Sequence, residues 1–358
     1  MGKVLDNKCP SCNAPIKFDP KLQKFKCEYC GAEYNAEDIQ KMQNEQPAEE
    51  KEKETKAKEA NPEVKDDTVY VDYHCPDCGA EIIADEQTAA TFCVYCGNTS
   101  IIKNRLTGKF APSKIIPFKK EKQEAIEAFK SLKKGKPLVP KDFVTEQNIE
   151  KITGVYIPFW LYTVFVNGNV TVMAQRITTW RSGNTRFTKT DTFDCIRDGE
   201  MTFRKVPVEG SNRFDNDIMN SIEPFDYNDL IDYNHAYLSG FLAEKYNIES
   251  EEASKEATKR TINSAKDEML NSVIGYNNKI IRSENLNTKI NEFEYVLLPV
   301  WMLNVKYKDK MYKFAMNGET GKFVGNIPLD KKKAWIIGIS VFILTALVVL
   351  LFAWMIGG

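Results

Sequence analysis

The chain has 358 residues with an apolar fraction of 42%, enough for two or three compact units and too apolar for a disordered protein. Lys and Arg number 49 against 50 Asp and Glu, a formal charge of -1, so no overall field draws it to nucleic acid, and such a partner would need a local basic patch. The opening MGKVLDNKCP has no apolar core of a signal peptide, and Asp6 stands where a myristoylation signal needs Ser or Thr, so the nine cysteines are expected in a reducing cytosol.

CPSCNAPIKFDPKLQKFKCEYCG, from Cys9 to Gly31, recurs 66 residues later as CPDCGAEIIADEQTAATFCVYCG, from Cys75 to Gly97. Each copy supplies two CxxC pairs with 14 residues between them: Cys9, Cys12, Cys27 and Cys30 in the first, Cys75, Cys78, Cys93 and Cys96 in the second. A CxxC turn brings two sulfurs to one ion, and four soft donors suit a tetrahedral zinc with no open position, so both sites are expected to be structural. Asn13, Gly31, Gly79 and Gly97 follow the second cysteine of their pairs, where the chain often takes positive φ and its amides turn towards sulfur. Disulfides are disfavoured in the inferred compartment, whereas iron remains an alternative to zinc for the same thiolates. Units this small have little core, so metal affinity on the order of 10 kcal/mol per site would be their folding energy, and metal removal is expected to unfold the ribbons alone.

The reading divides the chain into ribbon 1 over 1–35, a charged flexible linker over 36–67, ribbon 2 over 68–105, a central α+β domain over 106–329, and a lysine triplet with a transmembrane helix over 330–358. The linker contains EEKEKETKAKEANPEVKDD, which has almost nothing to bury. In the central domain, Lys120 to Lys134 places Ala125, Ile126, Phe129 and Leu132 on one helical stripe ended by Gly135 and Pro137. GVYIPFWLYTVFVNGNVTV, Gly154 to Val172, reads as strands broken by a hairpin at Asn167-Gly168. A helix is expected over 248–274 with Ser250 as N-cap, followed by an antiparallel return with turns at Lys308 to Lys310 and Asn317-Gly318. A fainter repeat aligns Val155, Pro158 and Trp160 with Val296, Pro299 and Trp301, most simply two apolar strands of one sheet whose tryptophans are core.

Lys331, Lys332 and Lys333 precede a segment with no charge from Ala334 to Ile356, bounded by Trp335 and Trp354. It exceeds the about 20 apolar residues that cross a bilayer, and the lysines place the bulk of the chain on the cytoplasmic side.

No catalytic constellation emerges, and the chain is not expected to be an enzyme. Cys195 and His235 stand alone, His74 adds nothing to a four-cysteine set, and Asn98 begins a glycosylation triplet that is inert in the cytosol. Asp215, Asp217, Asp226, Asp229 and Asp232 suit loops and caps, while Gly318 to Lys322 lacks the spacing of a phosphate loop.

The two ribbons resemble transcription-factor-IIB-type zinc ribbons. Together with IIPF, GVYIPFW, YVLLPVWMLNVKYK, MNGETG and the terminal apolar helix, the chain is similar to bacterial tail-anchored zinc-ribbon membrane proteins. That resemblance implies association with phage-shock-type or SPFH-type membrane-stress systems and an adaptor or scaffold role for cytosolic protein partners. The alternative is a membrane-associated nucleic-acid-binding factor. Ribbon 1 with its flank, residues 1–35, carries six Lys against four acids, while residues 68–105 carry two basic residues against five acids, which disfavours phosphate at ribbon 2. Nothing in the sequence specifies a small-molecule ligand.

Overall fold

The computed structural model describes residues 9–39 except 13 and 15, 71–84 except 76–78, 93–95, 102–105, and 112–357 except 133, 141, 214, 215 and 309. In chain order come β1 (Ile16–Asp19), β2 (Lys24–Cys27), β3 (Glu33–Tyr34), β4 (Val71–His74), β5 (Glu81–Ala84), β6 (Ile102–Arg105) and β7 (Lys114–Ile115). Then follow α1 (Lys122–Ser131), α2 (Glu146–Glu150), β8 (Thr153–Ser182), β9 (Thr185–Glu209), α3 (Asn216–Ile222), β10 (Ile231–Asp232), β11 (Leu242–Glu244), α4 (Ser250–Asn271), β12 (Asn278–Tyr307), β13 (Lys310–Asn317), β14 (Phe323–Gly325) and α5 (Lys331–Gly357). The chain is a mixed α+β protein with a sheet domain, an N-terminal cysteine cluster and one apolar C-terminal helix.

The Pro and Trp repeat in the sequence marks a duplicated unit. Each copy is a short strand, a helix, a long strand and an antiparallel return: β7, α1, β8 and β9 in the first, β11, α4, β12 and β13 in the second. The long strands run antiparallel, with Ile157 opposite Leu298. Each short strand lies parallel to the long strand of the other unit, β11 on Val155 and Tyr156, β7 on Val296 and Leu297. The hydrogen bonds repeat as well. Gly210 N–H donates to the Pro158 carbonyl at 2.8 Å and Gly318 N–H to the Pro299 carbonyl at 2.8 Å. Asn247 and Ile248 amides donate to Gly210 O, as those of Lys119 and Lys120 do to Gly318 O. Glu121 and Glu249 occupy equivalent N-cap positions of α1 and α4. Ser250 is thus the first residue of α4 and not its cap.

The Asn167-Gly168 hairpin is not formed. β8 continues through both residues, because β9 and β12 satisfy its backbone on either side, Gly199 and Leu286 facing Gly168. The turn comes at Gly183 instead. Beyond the domain core β8, β9 and β12 form a three-stranded arm, one face of which is covered by α4. Ala253, Ala257, Thr261, Ala265 and Met269 recur every fourth residue along α4, and most of these side chains are small enough for the helix to lie close on Val164, Val166, Val170 and Val172.

Neither cysteine unit is a body apart from the sheet domain. Strand β5 pairs with β11 through Ile83 opposite Ala243 and Ile82 opposite Glu244, which extends the central sheet to β4 and β6. The first unit docks by packing: Phe18 and Phe25 meet the Tyr237 ring at 5.0 and 5.3 Å, and Gln23 Nε2–H donates to Phe118 O at 2.8 Å. Apolar surface buried at these seams stabilises cysteine unit and sheet together. Residues 40–67 of the charged linker and the Asn98 triplet lie outside the described residues.

Helix α5 is long and apolar enough to cross a membrane, and its stretch Lys331–Leu350 is not buried against the rest of the protein. Asp330 starts it, accepting from Lys332 and Lys333 amides at 3.1 and 3.2 Å, while its own amide donates to Leu138 O at 2.9 Å and so ties the helix to the central domain. Trp335 is exposed, and the side chain of Trp354 lies outside the described residues.

Candidate metal centre

The β1–β2 hairpin sets up the first centre. Asp19 Oδ1 accepts from the Lys21 and Leu22 amides, each at 3.0 Å, which closes the turn. The strand register then places Cys27 opposite Ile16 at the end of β2. Cys9 and Cys12 come from one CxxC turn, Cys27 and Cys30 from the other, and all four sulfurs lie within 4.8 Å of one another. The Cys9–Cys30 and Cys12–Cys27 separations are both 3.5 Å, too long for a disulfide and close to the roughly 3.8 Å edge of a tetrahedron with metal–sulfur bonds of about 2.3 Å. These four residues can hold one metal ion.

Gly31 takes φ +75° and its amide donates to Cys27 O at 2.9 Å. The turn leaves other amides free for sulfur: those of Ser11 and Cys12 reach Cys9, and those of Tyr29 and Cys30 reach Cys27. Burial alone pushes the Cys9 thiol up, but a bond from Tyr34 and these amides bring it down to about 6. For Cys12 the Ala14 amide works downward, yet burial and the neighbouring cysteines carry the thiol to about 12. Backbone amides likewise hold the Cys27 thiol down, while the neighbouring Cys9 and burial leave Cys30 pushed up, so one thiol of each CxxC pair ionises more readily than its partner, and a bound dication would supply the charge that lets all four ionise.

The second copy repeats the first turn. Cys75 N–H donates to Ala80 O at 2.9 Å as Cys9 does to Ala14 at 2.6 Å, and Gly79 takes φ +69°. Cys75 and Cys93 are fully buried, whereas Cys78, Cys96, Asn13 and Gly97 lie outside the described residues.

A polar cluster that no sequence motif announced holds this second unit. Glu244 is fully buried and accepts from Tyr95 Oη–H at 2.9 Å, Ser211 Oγ–H at 2.7 Å and Arg213 Nη1–H at 3.2 Å. Arg213 also donates to Gly79 O in the CxxC turn, and Asn304 Nδ2 donates to the Val94 and Tyr95 carbonyls. Burial pushes the Glu244 carboxyl up against the opposing pull of these donors.

The other singled-out residues serve the fold. Trp160 and Trp301 are buried strand residues. Cys195 is half-buried in β9 opposite Val172. Asp226 caps a helical turn by accepting from Asn228 N–H at 3.0 Å, and Asp229 pairs with Lys119. Asp217 lies in the first turn of α3 and Asp232 in β10, while Asp215 and the side chains of His74 and His235 lie outside the described residues. The Gly318–Lys322 segment is the β13–β14 turn, held by Asn317 Oδ1, which accepts from the Glu319 and Thr320 amides at 2.9 Å each.

An N-terminal thiol cluster on a sheet domain with an apolar terminal helix defines the class. Within it, the chain is 36% identical over 341 residues, covering 94% of each chain, to a Bacillus subtilis (strain 168) protein described as uncharacterized protein YdjG, and it belongs to that protein's family. No family model and no solved structure matches the chain.

Proposed function

We propose that this is a membrane-tethered zinc-ribbon adaptor that holds a cytosolic protein at the membrane surface, with two structural Zn2+ ions. The observation that carries this reading is the combination, on one chain, of a closed four-sulfur cluster and a terminal apolar helix entered through three lysines. A cluster whose four ligands are all protein thiolates leaves no position for a reacting water, which favours a structural role. The lysines favour a cytoplasmic sheet domain and ribbons, with the helix ending on the other side. SPFH-type or phage-shock-type proteins are the partners the family resemblance suggests.

The test compares cells carrying the full chain, a chain lacking residues 331–358, and Cys9→Ser, after identifying the protein that co-purifies with the full chain from membranes. Loss of the helix should release both proteins to the cytosol, and the ribbon variant should release the partner alone. A partner that stays on the membrane with Cys9→Ser rules out capture by ribbon 1, and tight, steeply salt-dependent DNA binding by the full chain would favour the nucleic-acid reading.

A further inference from the structure

Tyr29 and Tyr95 hold the same position in the two copies, third in CEYC and third in CVYC. Their surroundings are opposite. Tyr95 is 8% exposed and donates a hydrogen bond from its hydroxyl to Glu244, while Tyr29 is 85% exposed. The preceding residues differ to match, Val94 being buried and Glu28 lying in solvent beside Lys17.

The fold has one seat for this tyrosine, and ribbon 2 fills it. The seat is the outer edge of β11, where Glu244 offers the carboxylate and β5 supplies the pairing strand. In the other half of the duplicated sheet the position equivalent to Glu244 is Ile116, which is apolar, and the outer edge of β7 is taken by β10. The domain therefore offers Tyr29 no equivalent seat.

Resting on the adaptor reading, we propose that Tyr29 is the contact point for an acidic segment of a cytosolic protein, whose carboxylate stands against Tyr29 as Glu244 stands against Tyr95. Charge supports this occupant. Lys26, on the strand that leads to Tyr29, is exposed with no carboxylate in ion-pair range among the described residues, and residues 1–35 carry six Lys against four acids. Ribbon 2, whose tyrosine meets a carboxylate inside the chain, has the opposite balance. A large exposed aromatic ring with a hydroxyl suits an acid flanked by apolar residues.

The test selects peptides from a displayed random library against the zinc-loaded full chain in phosphatidylcholine nanodiscs, then measures the consensus peptide by fluorescence polarisation. Selected peptides should carry Asp or Glu next to large apolar residues. Tyr29→Ala should weaken the consensus peptide about tenfold or more, and Tyr29→Phe should weaken it less. Replacing the peptide acid by its amide should cost wild type more than it costs Tyr29→Phe. Zinc content unchanged in Tyr29→Ala shows that the ribbon is intact, as its exposure leads one to expect. No enriched peptide, no acidic preference, or equal binding by Tyr29→Ala overturns the proposal. Binding lost in Cys9→Ser but kept in Tyr29→Ala overturns it and leaves the adaptor reading standing. A single-stranded oligonucleotide that binds steeply with falling salt and displaces the peptide overturns both.

Discussion

Trp160 and Trp301 make the same bond in the two halves of the sheet: each indole N–H donates to a main-chain carbonyl 2.9 Å away, that of Ile248 for Trp160 and that of Lys120 for Trp301. Each acceptor belongs to the other unit, just before its helix, so the two bonds cross-link the halves. Trp160→Phe and Trp301→Phe should each cost about 1–3 kcal/mol, from the lost bond and the smaller ring. Urea denaturation of the full chain in detergent measures both. A variant within 0.5 kcal/mol of wild type, about the noise of a neutral surface change, would show that its indole does not bridge the units.

Gly168 lies where β8 passes close to β12. A Cβ there would stand 2.0 Å from Asn285 O, and φ is +134°. Its cross-strand neighbour Gly199 has nothing within 4 Å of a Cβ. Gly168→Ala should therefore destabilise by about 2–4 kcal/mol, while Gly199→Ala stays near neutral. Equal melting temperatures for the two variants would contradict the continuous strand.

Arg213 is the cation that faces the fully buried Glu244, and its side chain is 17% exposed. Burial raises the folded pKa of Glu244, so its contribution to stability is fully present below the ordinary carboxylate range of about 4.3 and is lost as pH rises through the raised value. Arg213→Met leaves that carboxylate without its cation and should cost about 3–5 kcal/mol at pH 7. The cost should shrink at low pH, where Glu244 is protonated in both proteins. Denaturation at the two pH values decides it, and a cost independent of pH would remove Glu244 from the explanation.

Metal should be felt beyond the cysteine units. Native mass spectrometry is expected to show two zinc ions in the full chain and one in Cys9→Ser, as the duplicated CxxC pairs imply. Because Phe18 and Phe25 pack on Tyr237, chelation should also speed hydrogen exchange in the helical turn from His235 to Leu238. Protection unchanged there would mean that the first cysteine unit and the sheet domain fold independently.

Spacing was enough to mark the four sulfurs of the first unit as a candidate metal site. A CxxC turn is local, so the sulfurs of Cys9, Cys12, Cys27 and Cys30 and the positive φ of Gly31 and Gly79 follow from residues a few positions apart. The same holds for the α5 segment, whose unbroken apolar run needs no partner to be recognised, and for the Pro158–Trp160 and Pro299–Trp301 repeat. Tertiary structure decided what depends on distant neighbours. Asn167-Gly168 favours a hairpin locally, but ladder bonds to β9 and β12 outweigh that preference and carry the strand through it. Glu244 looks like any strand acid until Tyr95, Arg213 and Ser211 are folded around it. Whether the tyrosine of a CxxC pair is buried or exposed was likewise set by which sheet edge stood open to receive its strand, because edge pairing joins residues as far apart in sequence as Ile82 and Glu244.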